Sequence, residues 1–138
     1  MLEPTIGKGL RATGRRLTRT RKAVLGLLEQ THQPLSASEI YSQLQDRHVA
    51  IDLVTVYRTV NVLKELGLVM QLDLQGQSRY ELKEGRKHHH HIQCRVCGEI
   101  VDLLLCPLKK LTRLIEEQTQ FIVDDHTLEF AGFCPKCQ

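Results

Sequence analysis

His88-His89-His90-His91-Ile92-Gln93-Cys94-Arg95-Val96-Cys97-Gly98 places four imidazoles and two thiols within eleven residues. A second pair, Cys134-Pro135-Lys136-Cys137, follows after 36 intervening residues. In a C-x-x-C knuckle two thiolates take adjacent corners of a tetrahedron, and Gly98 permits the sharp turn that the first knuckle needs. Two knuckles complete a four-thiolate shell with Zn–S of about 2.3 Å. Every corner is then a protein atom and none is left for water, so Cys94, Cys97, Cys134 and Cys137 read as a structural zinc site. Binding free energy at such a site is folding free energy, on the order of 10 kcal/mol in small zinc modules. Two disulfides are the competing reading. They are disfavoured because the N-terminus, Met1-Leu2-Glu3-Pro4-Thr5, lacks the apolar region of an export signal.

If the histidine run is extended, His89 and His91 face one way and His88 and His90 the other. One run can then feed two metal sites on opposite faces. A solvated tract or a tag remnant is the plain alternative, but the run is internal and abuts a zinc knuckle. Further candidate donors are Glu81, Asp102, His126 and Cys106. Cys106 precedes Pro107, hence stands near a helix start, where free N–H groups favour thiolate; a buried apolar cysteine is the alternative. His32 and His48 read as ordinary surface residues.

Outward from the run, the N-terminal half reads as helices. Val24, Leu25, Leu27 and Leu28 form an apolar stripe within Thr18–Thr31. Ser36-Ala37-Ser38-Glu39 fits a capping box opening a helix that buries Ile40, Tyr41 and Leu44. A third helix starts at the N-cap Asp52 and ends before Gly67; Val56, Val60 and Leu63 share one face, opposite Arg58, Asn61 and Glu65. The period then drops to two: Leu68–Leu74 and Ser78–Leu82 flank a turn at Gln75-Gly76-Gln77. Three helices and a hairpin are the layout of a winged helix-turn-helix, with Asp52–Leu66 as recognition helix.

Glu84-Gly85-Arg86-Lys87 reads as a hinge. The domains expected are therefore 1–83, a winged helix, and 88–138, an α+β unit. That unit has strands at His91–Arg95, Glu99–Leu105, Phe121–Asp124 and Leu128–Phe133, with a helix from Pro107 to about Gln118. A site joining Glu81 at the end of the wing to His89 and His91 would straddle this hinge and fix the angle between the halves, which is a physical basis for a sensor.

The 138 residues are 41% hydrophobic and 25% charged, with six aromatic residues and no Trp. No apolar run approaches the ~20 residues of a membrane span, so a cytoplasmic globular protein without membrane attachment is expected. The net charge of +3 is concentrated: Lys8, Arg11, Arg15, Arg16, Arg19, Arg21 and Lys22 stand together without an acid, a cluster that attracts a polyanion. An enzyme is not expected, for the chain lacks an H-E-x-x-H motif, a nucleophile elbow and a phosphate-cradling loop.

Together these residues resemble the ferric uptake regulator (Fur) superfamily, and within it the zinc uptake regulators (Zur). Besides 88–98, the resemblance rests on Thr55-Val56-Tyr57-Arg58-Thr59-Val60 and on His126-Thr127-Leu128-Glu129. It implies a homodimeric, zinc-sensing repressor, with a C-terminal dimerisation domain, that closes onto palindromic, A/T-rich operator DNA to control metal uptake genes. Thr55, Tyr57 and Arg58 would lie in the major groove, Arg16 in the minor groove, and Arg19 and Arg21 near the backbone. Arg can read guanine edges and Tyr can pack on a thymine methyl. The resemblance further implies a sensing site of Glu81, His89 and His91, with Asp102 and Cys106 as additional candidates, and a second labile site of His88, His90 and His126. Two positions depart from the family pattern: Lys109 stands where many relatives have the carboxylate of the second site, and Pro34 stands where some have a histidine. Regulatory Zn(2+) is preferred to Fe(2+) on donor softness. Iron or peroxide sensing, or a zinc-stabilised module that does not bind DNA, are the alternatives.

Overall fold

The structure, a computed structural model, describes residues 16–83 and 87–138. The chain divides into two compact units, 1–86 and 87–138. In the first, α1 (Arg19–Gln30), α2 (Ala37–Asp46) and α3 (Leu53–Glu65) precede a hairpin of β1 (Val69–Leu74) and β2 (Gln77–Leu82). Each helix starts on a side-chain oxygen. Thr18 accepts from the Arg21 N–H, Ser36 and Glu39 form a complete capping box, and Asp52 accepts from the Thr55 N–H at 2.7 Å. That hydrogen bond holds the Asp52 carboxyl below its ordinary range. At the far end of α3, Gly67 adopts φ +71°, and the N–H groups of Gly67 and Leu68 close on the carbonyls of Lys64 and Leu63. This is the Schellman ending, and it turns the chain directly into β1.

The apolar stripes meet in one core of Val24, Leu27, Ile40, Leu44, Val56, Val60 and Leu63, each fully buried or nearly so, with Val69, Tyr80 and Leu82 supplied by the hairpin. The hairpin loop is two residues, Gln75 (φ 49°) and Gly76 (φ 77°), one shorter than the sequence suggests. Two positive φ values match the right-handed twist of the strands. Leu35 exchanges backbone hydrogen bonds with Tyr80, fixing the α1–α2 connection to β2. Beside it, Arg79 donates from Nη1 to Glu39 Oε2 (2.8 Å) and to the Pro34 carbonyl (3.1 Å). Glu39 Oε2 also accepts from the Ser36 N–H, so one carboxylate caps α2 and holds the wing. Lys8, Arg11 and Arg15 of the basic cluster, and Glu84, Gly85 and Arg86 of the expected hinge, lie outside the described residues.

The second unit has a three-stranded sheet in the order β4 (Ile100–Leu103), β3 (His90–Cys94), β5 (Glu129–Gly132), with α4 (Lys109–Thr119) between β4 and β5 in sequence. β3 and β4 are antiparallel, and β3 and β5 are parallel. Phe121–Asp124, expected as a strand, is not one. Its backbone goes instead to side chains, the Val123 N–H to Glu116 and the Phe121 N–H to Thr119, after Gln120 has ended α4 in the left-handed region. No helix among the described residues is long and apolar enough to cross a membrane. The apolar core of this unit is slight: Ile100 and Cys94 are buried, α4 buries nothing, and Leu104, Leu105, Phe121 and Ile122 are exposed.

Two outcomes test the first unit. Glu39→Ala should cost about 1–3 kcal/mol, because it removes a cap and strands a guanidinium whose side chain is 10% exposed. The urea midpoint should fall at constant slope, and Arg79→Met in the Glu39→Ala background should restore part of the loss. Asp52→Ala should be less stable than the parent at neutral pH. Because the folded pKa is depressed, that difference should close as the pH falls below the carboxyl's ordinary 3.8, when both states become protonated.

Candidate metal centres and nucleic-acid face

The parallel register sets Cys94 opposite Gly132, which carries Cys134 to the first knuckle. The Gly98 N–H returns to the Cys94 carbonyl at 3.1 Å with Gly98 at φ +76°, and the Cys137 N–H returns to the Cys134 carbonyl at 2.9 Å. The four sulfurs of Cys94, Cys97, Cys134 and Cys137 lie within 4.8 Å of one another, and Cys97 and Cys134 are 3.7 Å apart. A tetrahedron with Zn–S of 2.3 Å has edges of about 3.8 Å, so the cluster can hold zinc. Backbone N–H groups of Cys134, Cys97 and Val96 bring the Cys94 thiol down to about 6. The hydrogen bond with Cys134, and then burial, push Cys137 up to about 12. Four thiolates this close repel one another, and a dication is the natural compensation.

A second cluster gathers His88, His90, Cys106 and His126, again with all four donor atoms within 4.8 Å. His90 Nε2 lies 3.1 Å from His88 Nε2 and 3.3 Å from His126 Nε2, and Cys106 Sγ lies 3.4 Å from His126 Nε2. Tetrahedral zinc with ordinary bond lengths has N···N edges of about 3.3 Å and N···S edges of about 3.6 Å. The donors fit such an ion. Burial, and then the neighbouring His88 and His126, depress the His90 pKa, which favours the neutral, ligating form.

The grouping of Cys106 differs from expectation. Sequence reasoning set it beside Glu81, His89, His91 and Asp102; the structure sets it with His88, His90 and His126. β4 pairs Asp102 with His91 and Leu103 with His90, but it ends at Leu103. Strand alternation therefore places Asp102 and leaves Cys106, at the approach to α4, undetermined. On the other side of the run, the His89 and His91 rings are 4.8 Å apart, and His91 Nε2 is 3.5 Å from Asp102 Oδ1. Glu81 lies on β2 of the first unit, opposite Met70. Lys109 opens α4 and offers no donor lone pair as an ammonium.

On α3, Val54, Tyr57, Arg58, Asn61, Lys64 and Glu65 are exposed and Thr55 is half-buried. They recur at three- and four-residue spacing on the face opposite Val56, Val60 and Leu63. Arg16 and Arg19 are exposed, while Arg21 is half-buried and donates to the Arg16 carbonyl. The Arg79–Glu39 tie escaped sequence reasoning, because nothing local in either segment specifies a pairing across forty residues.

The model of the ferric uptake regulator family matches residues 12–131. The chain is 36% identical over 137 residues to the peroxide-responsive repressor PerR of Staphylococcus aureus, covering 99% of this chain and 91% of the relative. Among solved structures, the ferric uptake regulator of Vibrio cholerae superposes with a TM-score of 0.81 at 30% identity, covering 92% of this chain and 98% of that one. A zinc-bound manganese uptake regulator gives 0.75 at 27% identity, covering 94% and 98%. The chain belongs to the ferric uptake regulator family: it is a DNA-binding, metal-responsive transcriptional regulator and not an enzyme.

Proposed function

We propose that the protein is a cytoplasmic, zinc-responsive repressor of metal uptake genes that binds palindromic, A/T-rich operators as a homodimer. The four cysteines hold a structural zinc, and His88, His90, Cys106 and His126 hold the regulatory one. The observation that carries this reading is the thiol among three imidazoles at tetrahedral spacing. Soft sulfur with imidazole favours Zn(2+), whereas Fe(2+) and Mn(2+) sites lean on carboxylates and water. Zinc, when bound, would supply a positive centre that draws three stretches of the unit's chain, at 88–90, 106 and 126, onto one point. The exposed apolar residues Leu104, Leu105, Phe121 and Ile122 are suited to a protomer interface.

In the DNA complex, Thr55, Tyr57 and Arg58 would face base edges, Arg16 the minor groove, and Arg19 and Arg21 phosphates. A second reading is favoured by His91 and Asp102 standing together: a nitrogen–oxygen set of His89, His91 and Asp102 suits Fe(2+). The similarity to a peroxide-responsive repressor points the same way.

Metal analysis, gel shift and metal competition test these readings. Metal analysis should find two zinc ions per chain in zinc-replete protein, one of them removed by a mild chelator. Cys134→Ala should lose both ions together with the fold of the second unit, which carries both clusters, while the helical signal of the first unit survives. In gel shift, zinc should tighten operator binding at least tenfold, about 1.4 kcal/mol of coupling. Arg58→Ala should weaken operator binding far more than binding to unrelated duplex. Competition between Zn(II) and Fe(II) that left iron as the effective metal would favour the second reading.

A further inference from the structure

Cys106 opens onto a cleft of about 540 Å³ within the second unit, whose floor is Cys106, His88 and His126 and whose wall is one face of α4. Lys109, Thr112, Arg113 and Glu116 supply that wall at three- and four-residue spacing. Glu116 Oε1 is engaged by the Val123 N–H at 2.9 Å. Lys109 and Arg113 make no ion pair among the described residues. The lining thus carries two cations, and the cleft is large enough for a small organic molecule. Of the five cysteines, the other four form the separate four-sulfur cluster, so Cys106 has no partner with which to form a disulfide within an intact chain. Any oxidation of this sulfur must bring in an outside group.

From these features we infer that Cys106 is a thiol-exchange site for low-molecular-weight disulfides bearing carboxylates, and that the exchange disables the second metal cluster. This rests on the reading of that cluster as the regulatory zinc site. In the exchange, the Cys106 thiolate attacks one sulfur of the incoming disulfide. A bond forms between Cys106 Sγ and that sulfur, the original S–S bond breaks, and its electron pair leaves with the other half as a thiolate, which takes a proton from water. Cys106 is oxidised and one half of the reagent is reduced. The carboxylates of the retained half pair with Lys109 and Arg113, the two exposed cations of the cleft's lining. A disulfide sulfur no longer offers an anionic donor, so only His88, His90 and His126 would remain to hold a zinc ion there. Hydrogen peroxide is uncharged and gains nothing from the two cations, which is why a carboxylate-bearing disulfide is the better match.

The test uses full-length, zinc-loaded protein with its metal content measured first, and glutathione disulfide as the probe. Intact mass and peptide mapping should show one adduct, on Cys106, and a chromophoric chelator should register release of one zinc per chain while the four-cysteine zinc stays. Cys106→Ser should take no adduct. The Lys109→Glu, Arg113→Glu double variant should react about tenfold more slowly with glutathione disulfide but no more slowly with cystamine, a cationic disulfide. Adducts forming first on Cys94, Cys97, Cys134 or Cys137 would overturn the inference. So would rates insensitive to the charge reversal, faster loss of zinc to hydrogen peroxide, or an adduct on Cys106 that leaves both zinc ions in place. A starting zinc content of one per chain would count against the regulatory-site reading instead, and the position and charge dependence of the adduct would still decide the exchange site.

Discussion

Cys94 stands opposite Gly132 in the parallel pairing of β3 with β5, and the metal chemistry of the second unit follows from that register. Two residues past Gly132 the chain reaches Cys134, and the Cys134 N–H donates to Cys94 Sγ at 3.4 Å. Four residues before Cys94 the same strand presents His90, and three residues before Glu129 the chain presents His126. A single strand pairing therefore closes the four-sulfur cluster at one end and the imidazole cluster at the other. A slip by one residue would turn every side chain of β5 to the opposite face and dismantle both.

Strand pairing alone would be a weak scaffold. A three-stranded sheet of four- and five-residue strands, beside a helix that buries no residue, exposes most of its apolar surface. The first unit is different, since its fully buried Leu27, Ile40, Leu44 and Leu63 each stabilise by about 1.5–3 kcal/mol on transfer alone. The two units thus rely on different physics: a packed apolar core in one, and converging donors that need a cation in the other. On the proposed reading of the four cysteines, removal of their metal would be a structural event in the second unit and a bystander to the fold of the first.

How legible this was in the sequence depends on how local the signal is. The caps at Ser36 and Asp52, the Gly67 ending and the C-x-x-C knuckles are contained in four to six residues, and each can be read without the fold. Strand alternation carries information only as far as the strand runs, so it could not group Cys106, beyond the end of β4, and Asp102 entered the sensing set only through the family resemblance; its pairing with His91 is a matter of register. Phe121–Asp124 has the composition of a strand, yet its hydrogen bonds go to Glu116 and Thr119, a choice made by the turn after α4. The Arg79–Glu39 pair is the purest tertiary feature: it needs β2 already placed on α2, and no periodicity announces it.

Charge distinguishes the two clusters in a way that ligand identity alone does not. Four thiolates around a dication leave a net charge of −2, and both knuckles surround it with backbone N–H groups that accommodate the excess. Three neutral imidazoles and one thiolate around the same dication leave +1, and Lys109 and Arg113 line the adjoining cleft. On the proposed reading, like charge in that space opposes the ion, so the cluster would hold zinc less firmly than the cysteines do. A regulator needs that ordering, for the structural ion must stay while the sensed one comes and goes. On that reading a carboxylate at residue 109 would tighten the second site, whereas the lysine there would keep it exchangeable and leave the single thiolate as the donor on which its occupancy turns.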